Sequence, residues 1–395
     1  MIKRELPTRR VQSFSQVLDK VNEIVEKVRK DGDRALREFA LQFDNVKLEE
    51  LVLSEEQVAN AASKIKPEVK GAIDEIWDQL VSFHELIKPP SLGGGSKNVE
   101  YGVLWRPLER VGIYVPGGKK SYPSTLMMAG IPARIAGVEE IHVATPVKGE
   151  IDPAIAYIAF KLRVKRVYPV GGAQAIAALA FGTESVTKVD KIVGPGNVYV
   201  QAAKFIVSQE IGIDGIEGPT ELVVIADQTS DPRSIALDLM AQGEHGSSSL
   251  LVLMSNSEEL LNKVAELLND ENEYYLVKTE NLETAIELAN KIAPEHLSLY
   301  TSRSRELLHL VKNAGAITLG NTPPALIDYS AGPDHILPTN GWARFRGGVT
   351  VYDFLKPVSY VNAEKVDKKL VKAAEILAEY EGFKHHAKSI GVRYD

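Results

Sequence analysis

Four histidines in this chain stand in polar, glycine-rich surroundings: His245 in AQGEHG, His296 in APEHL, His335 in SAGPDHILPT and His386 in EGFKHHAKS. Each has an oxygen donor nearby in sequence: Gln242, Glu295, Asp328 and Glu381. Imidazoles and oxygen donors gathered in loops are the material of an acid–base centre or of a nitrogen/oxygen metal site. Cysteine is absent, which removes disulfides, thiolate zinc sites and covalent thiol chemistry.

Gln242 and His245 close a helical stretch three residues apart, so both can face one point. Asp328 and His335 would add oxygen and nitrogen donors from a long loop, enough for a divalent ion such as zinc. Carboxamide ligation is unusual for zinc, so the residues alone leave a polar helix end as the alternative. Glu295 and His296 follow a proline at the mouth of a strand, expected at the C-terminal rim of a sheet, where catalytic groups gather. A glutamate taking a proton from water beside a histidine exchanging protons with an alcohol suits general acid–base work. A solvated edge pair is the plain alternative.

The elements that must carry these groups are legible from periodicity. Val17, Val21, Ile24, Val25 and Val28 recur at helical spacing until Asp31-Gly32. Ser54 to Gln57 forms a capping-box pattern, and Ile73, Ile76, Trp77, Leu80 and Phe83 form a further apolar stripe that includes His84 as a packing residue. From about 100, β-branched runs ending in Gly or Pro (110–118, 139–146, 165–172, 191–197) alternate with helical stretches. The alternation restarts at 221 with ELVVIAD, SLLVLMS, YYLVK, HLSLYT and AITLG. Such alternation predicts an α/β protein with two Rossmann-like, incomplete parallel-sheet modules, a helical N-terminal segment and a small C-terminal extension. His142 and His309 fall inside regular elements and read as structural. The turns VGGAQ and GPGN place Gln174 and Asn197 at equivalent points, where helix N-termini favour anionic ligands. Neither turn is a dinucleotide fingerprint, and tight strand-to-helix turns remain the competing reading. Residues 320–348 form a long irregular stretch, expected to be functional, followed by a strand-like VTVYDFL and a charged helix from about 363.

At 395 residues the chain suggests two or three domains, and its net charge of -7 supplies no basic excess for nucleic acid. No run approaches the ~18 apolar residues of a membrane span, and the N-terminus lacks a secretory apolar core. A cytoplasmic enzyme is the expected class.

RVGIYVPGG, VGGAQAIAALAFGTESV, VDKIVGPGN, GPTELVVIAD, AQGEHG, PEHL and DYSAGPDHILPT occur in this order, and together they resemble histidinol dehydrogenase over roughly residues 10–395. The resemblance implies an NAD-dependent dehydrogenase that closes histidine biosynthesis, taking L-histidinol to L-histidine through L-histidinaldehyde with two NAD+ and one zinc per subunit. It implies Gln242, His245, Asp328 and His386 as metal ligands, and Glu295 and His296 as the catalytic pair. Tyr114, Gln174 and Asn197 would contact NAD. Thr220, Gln242, His245, His296, Asp328, Glu381 and His386 would touch substrate, with His335 nearby. It further implies a homodimer whose C-terminal segment completes the other subunit's site. The expected division is 8–118 with 221–348 on the substrate and zinc side, 119–220 on the NAD side, an extension at 349–372, and a C-terminal helical segment at 373–395.

Three departures from the family pattern stand out. Thr220 occupies a position where Ser is usual, Gly243 replaces a common Ala, and the chain is short around 345–350. On a continuous helix Glu381 would share a face with His385, whereas the family spacing selects His386. Without a thiol, oxidation of the aldehyde must start from its hydrate, with water as nucleophile. The rival readings are a zinc-dependent hydrolase, which would not reduce NAD+, and a non-catalytic NAD- or metabolite-binding protein.

Overall fold

The structure, a computed structural model, describes residues 1–7, 16–117 and 120–394. The basic stretch 8–15 and Gly118, the last residue of the first glycine turn, lie outside the described residues.

Strands β1 (Ile2–Lys3), β2 (Leu92–Ser96) and β3 (Val99–Pro107) come first. Next are β4 (Arg110–Tyr114), β5 (Glu140–Ala144), β6 (Arg166–Tyr168), β7 (Lys191–Val193) and β8 (Gly212–Ile213), which form a parallel sheet in the order β6-β5-β4-β7-β8. The strands β9 (Glu221–Ala226), β10 (Leu250–Ser255), β11 (Tyr274–Lys278), β12 (His296–Tyr300) and β13 (Ala316–Leu319) join β1 in a second parallel sheet, ordered β1-β11-β10-β9-β12-β13. The first sheet runs outward in two directions from β4 and the second from β9, with β1 added at its edge, the arrangement of dinucleotide-type α/β folds. The alternation of β-branched runs and helices thus produced the two parallel modules it predicts.

Strand β9 shows why these sheets are buried on both faces. Leu222, Val224 and Ala226 pack against Ile235, Leu239, Leu260 and Val264, from helices 232–243 and 258–267. Val223 and Ile225 point the other way, onto Leu282, Ile286 and Ala289 of helix 282–292. An unbroken apolar strand serving two cores is what parallel sheets require.

The N-terminal helix Leu18–Phe39 packs on helices Gly172–Phe181 and Val198–Val207 of the first sheet. It continues through Gly32, where φ is +53°, as a kink rather than a stop. The kink is fastened by the TES segment: Asp33 accepts from the Thr183 hydroxyl at 2.6 Å and from the Ser185 amide at 3.1 Å. The capping box forms as read, with Gln57 N–H donating to Ser54 Oγ at 3.1 Å and Ser54 N–H to Gln57 Oε1 at 2.6 Å.

The chain divides into two compact units: Met1–Ile87 with Leu108–Phe354, carrying both parallel sheets, and Lys88–Pro107 with Leu355–Asp395. In the second unit β14 (Leu355–Asn362) pairs antiparallel with β3, which also pairs with β2. VTVYDFL is therefore strand only from Leu355. Val351–Phe354 is a 3-10 turn because Asp353 bonds back to Thr350, its Oδ2 accepting from the Thr350 amide at 2.9 Å. Helices Lys368–Tyr380 and Lys384–Tyr394 follow. Among the described residues no helix is long and apolar enough to cross a membrane.

Candidate active site

Glu295 and His296 do not stand at a C-terminal rim. His296 opens β12, and Thr220 immediately precedes the adjacent β9, so the pair lies at the N-terminal edge of the second sheet. The C-terminal end of this sheet is closed by its own polar residues: Asp227 accepts from Thr301 at 2.5 Å and from the Thr229 amide at 2.9 Å. The first sheet is used the other way round. Chain leaving its last strand at Ile213 enters β9 at Glu221, so its C-terminal edge is joined to the N-terminal edge of the second sheet by residues 214–220.

At that junction Glu295 is buried, and both hydrogen bonds it accepts among the described residues fall on Oε2. The donors are the Thr220 hydroxyl and the Glu221 amide at 2.9 Å. Because Thr220 spends its proton on the carboxylate, it accepts from Gln242 Nε2 at 2.5 Å, which turns the Gln242 carbonyl oxygen away. Burial is the main reason the Glu295 carboxyl is raised to about 7, against the opposing pull of His296, Thr220 and the Glu221 amide. His296 is also buried, with Nε2 3.4 Å from Asp328 Oδ1 and Nδ1 without a hydrogen-bond partner among the described residues. Burial works against its charge, yet the Asp328 contact and the negative charges of Glu295 and Asp328 prevail, and its pKa is raised. Burial would raise Asp328, but His296, His335 and His245 hold it below the usual carboxylate range. His335 Nδ1–H donates to the Asp328 carbonyl at 2.8 Å, and burial lowers its pKa. Thr220, Gln242, Glu295, His296, Asp328 and His335 therefore form one contiguous polar cluster. His245 lies past the helix end at Gly243, is exposed, and acts electrostatically on Asp328 and His335.

Glu381 and His386 belong to the second unit, and both are exposed. Gly382, at φ +84°, separates helix Lys368–Tyr380 from helix Lys384–Tyr394. Glu381 and His385 thus do not share a helical face, because the helix that would align them is broken between them. His386 packs its ring on Phe383, with centroids 5.2 Å apart.

Tyr114 ends β4, and Gln174 and Asn197 follow the ends of β6 and β7 in the first sheet. The order β6-β5-β4-β7-β8 reverses between β4 and β7, and Tyr114 and the Gly194–Asn197 turn end those two strands. The crevice outside such a reversal is where open α/β sheets take ligands. Tyr114 is buried, and its hydroxyl accepts the Gly172 amide at 3.1 Å; burial raises its pKa. Gln174 is buried in the first turn of the helix that begins at Gly172. Asn197 caps helix Val198–Val207, its Oδ1 accepting from Tyr199 and Val200 amides at 3.0 and 3.2 Å. Gly194 has φ +131°, and a side chain there would meet the Tyr114 carbonyl, so only glycine fits. Sequence reading passed over Glu221, whose amide fastens Glu295. It also missed Lys204 and Asp214, whose signal was charge inside apolar stretches.

Among the described residues no three His, Asp or Glu side chains are grouped closely enough to hold a metal ion. The donors present are nevertheless of the right chemistry. They comprise an anionic Asp328, a Gln242 oxygen turned away from its hydroxyl partner and the nearby His245, all nitrogen or oxygen ligands suited to a divalent ion of intermediate hardness.

Parallel sheets with dinucleotide-type order and a buried carboxyl–imidazole pair where they join define a Rossmann-like α/β enzyme. The histidinol dehydrogenase family model matches residues 7–394. Histidinol dehydrogenase of Sulfolobus acidocaldarius is 59% identical over 396 residues, covering 100% of both chains, and that of Saccharolobus solfataricus is 57% identical over 398 residues with the same coverage. A crystal structure of histidinol dehydrogenase from Elizabethkingia anophelis superposes with a TM-score of 0.93 at 31% identity, covering 100% of this chain and 97% of that one. The chain belongs to the histidinol dehydrogenase family. Its activity is that family's NAD-dependent oxidation of histidinol, in histidine biosynthesis.

Proposed function

We propose that Glu295 and His296 divide the proton transfers of a two-stage oxidation, L-histidinol to L-histidinaldehyde and then to L-histidine, with two NAD+ consumed. The observation that carries this reading is the buried pair at the start of β12, with Glu295 fastened through Oε2 alone. His296, its basicity raised by Asp328, takes the proton of the substrate alcohol as hydride leaves for the first NAD+. Glu295, with a pKa near neutrality, takes the proton of the water that hydrates the aldehyde through Oε1, before the second hydride leaves. Thr220 holds Glu295 and Gln242 in one chain of hydrogen bonds and so links the base to the substrate-binding amide.

A zinc ion held by Gln242, His245, Asp328 and His386 would bind and orient the substrate's amine and imidazole. Thr220, Gln242, His245, His296, Asp328, Glu381 and His386 form the substrate site in this reading. Tyr114, Gln174 and Asn197 present NAD+ from the β4/β7 crevice; in this reading 119–220, joined by Tyr114 at the end of β4, serves the cofactor, and the rest of 8–118 with 221–348 serves the substrate. The segments 349–372 and 373–395 belong to dimerisation. The second unit leaves Tyr380, Val392, Val361 and Leu92 largely exposed, and helix Lys368–Tyr380 buries no residue. A second copy of this chain is the occupant that covers those side chains and receives His386 and Glu381 in its own site. A soluble biosynthetic homodimer of this kind works in the cytoplasm.

The decisive experiment counts NADH formed per L-histidinol by the purified protein, before and after exhaustive chelation. Two NADH per histidinol, lost on chelation and restored by zinc, is the expected result. One NADH per histidinol, or full turnover in a metal-free preparation, would refute the scheme.

A further inference from the structure

The Gly194–Asn197 turn is held from beneath by two charged side chains that have no part in the scheme above. Lys204 lies on helix Val198–Val207, and Asp214 directly follows β8. Both side chains are fully buried, with Lys204 Nζ 2.5 Å from Asp214 Oδ1. Taking two full charges out of water is costly, and well-packed apolar side chains can often fill such a space without penalty. The geometry gives the pair a use. Lys204 Nζ donates to the Gly194 carbonyl at 3.0 Å, and Asp214 Oδ2 accepts the Gly194 amide at 2.8 Å. One ion pair thereby holds both polar groups of a single residue, at the position where φ is +131°.

The hold extends along the turn and toward the second sheet. Asp214 Oδ1 also accepts the Gly215 amide at 2.8 Å. Gln201 Nε2 donates to the Gly196 carbonyl at 3.3 Å, while Gln201 Oε1 accepts the Glu217 amide at 2.9 Å. Arg346 donates to the Asp214 carbonyl and, at 3.2 Å, to Glu217 Oε1. The Gly218 amide donates to Thr339 at 2.5 Å, two residues before Thr220.

We propose that Lys204 and Asp214 are positioning residues for the dinucleotide: they fix the Gly194–Asn197 turn in the shape that receives NAD+. The proposal rests on the reading that Asn197 contacts NAD+. Neither residue touches the reacting atoms. Their effect appears in cofactor affinity through the carbonyl and amide directions of Gly194 and Gly196.

The test compares Lys204→Met, Asp214→Asn, the double variant and Asn197→Ala. Calorimetric NAD+ affinity, the KM for histidinol, the thermal midpoint and amide hydrogen exchange over 190–218 are measured on the full-length protein. Each single variant should weaken NAD+ binding roughly 10- to 100-fold, about the worth of one charge-assisted hydrogen bond, with the histidinol KM changed by less than about twofold. Exchange at the Gly194 and Gly215 amides should quicken in the protein without NAD+. The double variant leaves no lone buried charge, so its thermal midpoint should recover relative to the singles while NAD+ binding stays weak. A purely structural ion pair would restore both together, and that outcome overturns the proposal. So does an unchanged NAD+ affinity in the singles, or in the double variant if the singles do not fold, while Asn197→Ala weakens binding. If Asn197→Ala leaves NAD+ affinity unchanged, the cofactor reading of the turn fails first and takes the proposal with it.

Discussion

A carboxyl that accepts a proton from water at neutral pH needs a pKa near neutrality, and burial lifts that of Glu295 to about 7. Glu295→Gln keeps an oxygen for Thr220 and the Glu221 amide but cannot take the proton. Oxidation of histidinaldehyde should fall about 10²–10⁴-fold, with the first oxidation of histidinol reduced much less. Single-turnover rates on each substrate check this, and equal losses would refute the division of labour. Thr220 gives a finer test, because only its hydroxyl bridges Gln242 and Glu295. Thr220→Ser should retain activity within about twofold. Thr220→Val breaks two hydrogen bonds among buried groups and should lower kcat/KM about 10- to 100-fold. A Val variant as active as the Ser variant would show that the bridge is idle.

At the scale of elements, helix Pro67–Ile87 carries an internal pH sensor of stability. His84 is fully buried there beside Phe83, and among the described residues neither ring nitrogen has a hydrogen-bond partner. Burial lowers its pKa from 6.5 to about 4. Between those values the unfolded chain binds the proton and the folded chain does not, so stability falls as pH falls from 6.5 toward 4. The loss reaches at most roughly 3 kcal/mol below that window. His84→Leu removes the titrating group and two unsatisfied nitrogens with little change of volume. It should be within about 1 kcal/mol of the parent at pH 7.5 and more stable than the parent at pH 5. Denaturant titrations at both pH values measure the difference. An equal gap at the two pH values would show that His84 titrates normally.

At the scale of the whole molecule, the proposed metal set is divided between two compact units. Gln242, His245 and Asp328 lie in the first and His386 in the second. If His386 serves the partner subunit, inactive His386→Ala and inactive His245→Ala subunits should complement each other. A mixed dimer then holds one site with both defects and one with none, giving up to about half the normal activity per dimer. Co-refolding with a mass tag verifies exchange. Confirmed heterodimers without activity would place His386 in its own subunit's site or remove it from the metal set.

Local patterns were enough to specify the two parallel modules, the capping box and the glycine turns, whereas Thr220 came into the proposed site only through the family resemblance. These features depend on near neighbours in the chain: side-chain period, turn chemistry and capping residues. Even the pairing of Glu295 with His296 needs only adjacency. Sequence periodicity, however, reads the same from either end of a strand's surroundings. It placed the pair at a C-terminal rim, whereas the fold puts it at the N-terminal edge of β12, because residues 214–220 join the two sheets end to end. The same local logic favoured His385 until Gly382 broke the helix it assumed. Only tertiary structure could turn Lys204 and Asp214, ordinary charges in apolar stretches, into a buried clamp on Gly194. Contacts between residues far apart in sequence have no period to read; they exist only once the core closes and brings those charges onto each other and onto the Gly194 and Gly215 peptide groups.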